Sequence, residues 1–173
     1  MAGRAFRTAI AALLVTALYA CGGDDGGDDA NNPTIDAVYV AVLRHLDLPP
    51  APDDETTTVY VVDLEDEPLS LDDQVAIIQE LDGIYDIQFF DRLDAVTDLD
   101  EDGDLVAPVD VPIVVIGAPT ADGASGRLTV RTELITDAGD ATAWQLTLDG
   151  TGRQMRVVAS NQTQPELLVD PAA

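Results

Sequence analysis

The chain has no lysine, one cysteine (Cys21) and one histidine (His45) among its 173 residues. Each scarcity excludes a class of chemistry. With a single thiol no intrachain disulfide can form. One histidine and one cysteine cannot fill a Cys/His structural zinc site, and they nearly exclude a Ser-His-Asp type triad, which would have to be built on His45. All eight cationic side chains are arginines against 33 acidic ones, giving a formal charge of −25. Such a chain is repelled by nucleic acid and by anionic lipid headgroups.

What the chain does carry is unevenly spread. Residues 53 to 110 contain twenty Asp and Glu with Arg92 as the only cation, whereas 111 to 173 contain seven acids and four arginines. A block of this kind is a solvated face, a cation site or a docking surface for a basic partner. The hydrophobic content of 46% and clear periodicities exclude a wholly disordered acidic chain.

The first residues follow another logic. Arg4 and Arg7 precede an uncharged apolar run, Thr8 to Tyr19, of about a dozen residues, too short for the roughly 20 needed to span a bilayer and suited to a secretory leader. The run breaks at Leu18-Tyr19-Ala20-Cys21-Gly22-Gly23. Leucine at −3, alanine at −1 and cysteine at +1 resemble the lipobox of bacterial lipoproteins. That resemblance implies cleavage before Cys21, diacylglycerol on its thiol and acylation of the new N-terminus. It also implies a place in the cell envelope facing periplasm or exterior, with Gly22 favouring the outer membrane in a host that has two. Two or three acyl chains anchor stably, at roughly 0.8 kcal/mol per buried methylene, where one binds marginally. Removing a leader with Arg4 and Arg7 takes the charge from −25 to −27.

The expected organisation is a signal peptide over 1–20, a tether over 21–33 and one domain over 34–173. The tether, Cys21 to Pro33, repeats Gly-Gly-Asp-Asp and reads as a self-repelling coil with a reach of roughly 20 Å. Helical spacing of Ile35, Val38, Tyr39, Val42, Leu43 and Leu46, after Thr34 as N-cap, predicts a first helix. Thr58 to Leu64 predicts a strand. Ser70-Leu71-Asp72-Asp73 approximates a capping box, opening a second helix with Leu71, Val75, Ile78 and Leu81 on its apolar side and Asp82-Gly83 at its end.

Strands are expected at Tyr85 to Phe90 and Val111 to Ile116, the latter with Pro112 at a strand start or edge. Three more, Gly126 to Ile135, Ala141 to Leu148 and Arg153 to Ser160, are joined by short Asp/Gly turns and so predict an antiparallel meander. Its apolar face is Leu128, Val130, Leu134, Trp144, Leu146, Leu148, Met155, Val157 and Ala159. The fold class is α+β, two helices packed on a curved, mainly antiparallel sheet ending in that meander. Gly126 to Ser160 resembles the closing strands of cystatin-like and NTF2-like domains. Members of that group differ in function, so the likeness implies a fold and no activity.

One motif bears chemistry. Asp98-Leu99-Asp100-Glu101-Asp102-Gly103-Asp104 fits D-x-D-x-D-G, the first half of a calcium loop. By resemblance to EF-hand-like loops, Asp98, Asp100 and Asp102 supply carboxylates and Asp104 a carbonyl to Ca²⁺. Val109 stands where the bidentate glutamate belongs, so a complete EF-hand is excluded and a further carboxylate, Asp110 or Asp94, is required. Fewer charged ligands imply an affinity of roughly 10⁻⁴ to 10⁻³ M. The competing reading is a solvated acidic turn.

His45 reads as a helix-end residue favoured by the dipole, Trp144 as core, and Arg127, Arg131 and Arg156 as ion-pair partners of nearby acids or an anion-binding stripe. No catalytic constellation is visible. The expectation is a binding or scaffolding domain rather than an enzyme, with an envelope protein or small ligand as partner. The alternative is a ligand-binding or weakly hydrolytic pocket of the NTF2-like kind.

Overall fold

The computed structural model describes residues 33–48, 56–63, 68–99, 105–106, 111–123, 125–137 and 140–165. Cys21, the expected leader and nearly all of the expected tether lie outside them. Helix α1 (Ile35–His45) begins after Thr34, whose extended backbone marks the cap position although its hydroxyl makes no cap bond. Seven consecutive residues, Ala37 to Leu43, are buried, so α1 is enclosed on more than one side. Strand β1 (Thr57–Asp63) follows, then α2 (Leu71–Leu81) and β2 (Tyr85–Phe90). At the start of α2 the Ser70 hydroxyl oxygen accepts from the Asp73 N–H at 3.1 Å, satisfying one orphan donor of the first turn. Gly83, at φ +75°, turns the chain from α2 into β2 in the left-handed region that favours glycine.

A 3₁₀ turn (Leu93–Ala95) leads to a small antiparallel hairpin, β3 (Asp98–Leu99) with β4 (Leu105–Val106). Strand β5 (Ile113–Ile116) begins just after Pro112 and is central in the sheet, so the proline marks a strand start and not an edge. Then come β6 (Thr120–Ala121), β7 (Leu128–Asp137), β8 (Asp140–Asp149) and β9 (Arg156–Thr163). The main sheet runs β2-β1-β5-β7-β8-β9, with β6 beside β7.

Two architectures meet at β5. On one side β1 pairs in parallel with both β2 and β5; on the other, β5, β7, β8 and β9 are antiparallel. The β7–β9 meander matches the expectation from turn spacing. Gly150, at φ +144°, closes its second turn, where a Cβ would lie 2.1 Å from the Gln154 carbonyl oxygen and no side chain is tolerated.

Both helices pack on one face. Val59, Val61, Val114, Ile116, Val130, Leu146 and Leu148 meet Tyr39, Val42, Leu43, Ile77 and Leu81 there, with Trp144, Met155 and Val157 partly buried against them. Ala159, expected on this face, is exposed. The cause is a register shift: Thr147 pairs with Ala159 but Leu148 with Val157, so Val158 bulges and the residues beyond it change sides. A second, smaller core lies on the opposite face, where Val62, Ile113, Val115 and Ile135 are covered by Val96 and Leu93. Tyr60 and Phe90 meet edge to face there, ring centroids 5.1 Å apart.

Candidate functional site

Helix α2 buries little of itself. Only Ile77 and Leu81 are buried, while Leu71 is 78%, Val75 49% and Ile78 42% exposed. Sequence periodicity placed Leu71, Val75, Ile78 and Leu81 on one inward side; of these, Leu81 alone is buried. The i, i+4, i+7 series forms an outward stripe about a quarter turn around the helix from Ile77 and Leu81. Its flank is fixed by the opposite one: Arg44 of α1 donates to the Glu80 carboxylate at 2.9 Å and to its carbonyl at 3.1 Å. The stripe therefore lies on the side of α2 away from α1.

Strand β2 ends the sheet, and among the described residues no strand pairs with its outer edge. Ile87 is buried, and Tyr85 and Phe89 are partly buried, under the helices; Asp86 and Gln88 are exposed on the other face. Burial, with the Asp47 carboxylate as a lesser cause, raises the Tyr85 phenol above its ordinary pKa. Ile84, at the turn into the strand, is 48% exposed. From residue 71 to 91 there are six acids and no cation. Asp72, Asp82, Asp86 and Asp91 are exposed and have no ion-pair partner among the described residues.

The acidic loop begins in the hairpin. Asp98 pairs with Val106 and Leu99 with Leu105, so the residues that flank 100–104 are held side by side. Asp100, Asp102 and Asp104 themselves lie outside the described residues, as does Asp110. Asp94 is committed elsewhere: Arg92 donates to it through Nε at 2.8 Å and again through a terminal guanidinium nitrogen. These hydrogen bonds hold the Asp94 carboxyl below its ordinary pKa. Among the described residues no three His, Cys, Asp or Glu side chains converge into a metal-binding group.

The remaining arginines pair mostly with acids. Arg127 lies 3.6 Å from Asp149, and Arg131 bonds the buried Glu133 at 2.8 Å and the Gln164 carbonyl at 2.9 Å. That arrangement is the ion-pair reading of β7. Between α1 and β9 a shallow groove of about 220 Å³ is lined by Ala41, Arg44, His45, Met155, Arg156 and Val157. Its volume falls below the roughly 300–1,000 Å³ of ligand pockets.

A buried polar set sits under α1. The Tyr39 hydroxyl donates to Asp63 Oδ1 at 2.7 Å and the Leu69 N–H to Oδ2 at 3.2 Å, tying α1, the end of β1 and the approach to α2 together. Its partners are internal, which makes it a structural clamp. Sequence reasoning passed over this pair because its members are 24 residues apart.

Comparison with family models, curated proteins and solved structures finds no match to this chain. No helix among the described residues is long and apolar enough to cross a membrane.

Proposed function

We propose that the chain is a membrane-anchored extracytoplasmic lipoprotein whose α+β domain binds or scaffolds a protein of the envelope rather than catalysing a reaction. The observation that carries the binding reading is the exposed stripe Leu71, Val75 and Ile78 on the side of α2 away from α1. A folded domain gains nothing in stability by leaving three large apolar side chains of one helix in water, and contiguous exposed apolar patches mark interaction surfaces.

The anchor rests on the lipobox ending at Cys21. Acylated Cys21 enters the bilayer, and the Gly/Asp tether holds the acidic domain off a surface that repels it. In a host with two membranes, Gly22 favours the outer one. A calcium ion held by Asp98, Asp100, Asp102 and Asp104 belongs to this reading as a structural cofactor of the hairpin. It would relieve repulsion among the carboxylates that the sequence crowds into positions 98 to 104.

Fractionation of cells making the full chain tests the anchor. The native chain is expected in the membrane pellet and Cys21→Ala in the soluble fraction. A Cys21→Ala chain that stays with membranes through an alkaline wash overturns the lipid anchor.

A further inference from the structure

We propose that the β2 edge and the α2 stripe form one strand-addition site, occupied by an extended, cationic segment of a partner protein. The proposal deepens the binding reading above and rests on it. An edge strand presents unpaired N–H and C=O groups, and an added strand satisfies them while its side chains point alternately to the two faces of the sheet. On the helix face the exposed Leu71, Val75 and Ile78 of α2 offer apolar partners to the side chains of the added strand. On the other face it runs beside Asp86 and Gln88.

Charge selects the occupant. Arg44 and Arg92 are paired with Glu80 and Asp94, whereas the exposed Asp72, Asp82, Asp86 and Asp91 have no ion-pair partner among the described residues, so α2 and β2 carry an excess of negative charge. Lysine or arginine at alternate positions of the added strand meets Asp86 directly and the others around the rim. The same acids refuse a second copy of this chain, since β2 against β2 about a two-fold axis brings two such uncompensated surfaces together. They also refuse an anionic bilayer. The far edge, β9, offers no equivalent: its exposed residues include Arg156, Ser160, Asn161 and Gln162.

The test uses the full chain in detergent at about 0.15 M salt, where long-range attraction is screened, with three labelled octapeptides. One alternates lysine with valine; one is the same with proline for a central valine; one alternates glutamate with valine. The lysine–valine peptide is expected to bind and to slow amide hydrogen exchange at 85–90. The proline peptide, of equal charge but lacking a ladder donor, is expected to bind about tenfold or more weakly. The glutamate peptide is expected not to bind. In the protein, Val75→Asp/Ile78→Asp lowers binding by a similar factor with an unchanged melting point, because both positions are exposed.

Equal binding of the lysine and proline peptides overturns the proposal in favour of charge alone. Slowed exchange at 156–163 instead of 85–90 overturns it in favour of β9. A concentration-dependent dimer that Val75→Asp/Ile78→Asp dissolves overturns it in favour of a second copy. If no peptide binds, carbene footprinting of Val75 and Ile78 separates the two levels. Shielding on intact producing cells but not on purified protein keeps the binding reading and discards strand addition. Equal labelling in both discards both.

Discussion

At the scale of single residues, the buried Asp63 is the side chain whose partners matter most to the fold. It is 7% exposed and accepts from Tyr39, which is fully buried. Tyr39→Phe removes the donor while leaving a buried acceptor, so it is expected to destabilise the chain by about 1–3 kcal/mol, measured by urea unfolding. Asp63→Ala should cost a comparable amount, and the double variant less than the sum, because the two groups share one interaction. The exposed Arg92–Asp94 pair makes the contrast: solvent screens it, and either partner can be changed with little effect on stability. Burial, not the number of hydrogen bonds, separates these two pairs.

At the scale of elements, α2 carries two apolar stripes with opposite fates, Ile77 and Leu81 buried and Leu71, Val75 and Ile78 exposed. Ile77→Ala removes a fully buried side chain under α2 and is expected to cost about 2–5 kcal/mol. Val75→Ser on the outward stripe should change stability by no more than about 0.5 kcal/mol. Equal losses at both positions in thermal melts would contradict the orientation of α2. Periodicity made both helices, their limits and most strands legible, since caps, Asp-Gly turns and alternation are local signals. It did not settle which apolar stripe of α2 faces in: positions 71, 75 and 78 repeat at helical spacing just as 77 and 81 do, and only packing on β2 and α1 decides between them. Non-local features were invisible for the same reason, among them the parallel β2-β1-β5 pairing, the second core around Ile113 and Ile135, and the bulge at Val158 that displaces Ala159. Of the candidate sites, the D-x-D-x-D-G motif was legible by its spacing. The α2–β2 surface was not, because exposure of an apolar residue leaves no mark in sequence.

For the whole molecule the dominant quantity is its charge of −25, concentrated between residues 53 and 110. A calcium site of roughly millimolar affinity stabilises by about 1.4–2.7 kcal/mol at ion concentrations ten to a hundred times its dissociation constant. The melting point is therefore expected to rise by several degrees in calcium, less in magnesium at equal ionic strength, and not at all for Asp100→Ala. Identical curves in chelator and both ions would leave an acidic turn. The topology also sets an order of assembly. Strands β7, β8 and β9 are joined by short turns, whereas Thr57 meets Tyr85 across 28 residues and Tyr60 meets Ile113 across 53. Local pairings close faster than distant ones. Because β1 and β2 leave the ribosome before β5, the edge of β1 that β5 will cover waits, unpaired, for a partner made later. The acid-rich block occupies that same stretch, so like-charge repulsion keeps neighbouring unfinished chains apart for as long as the sheet is incomplete.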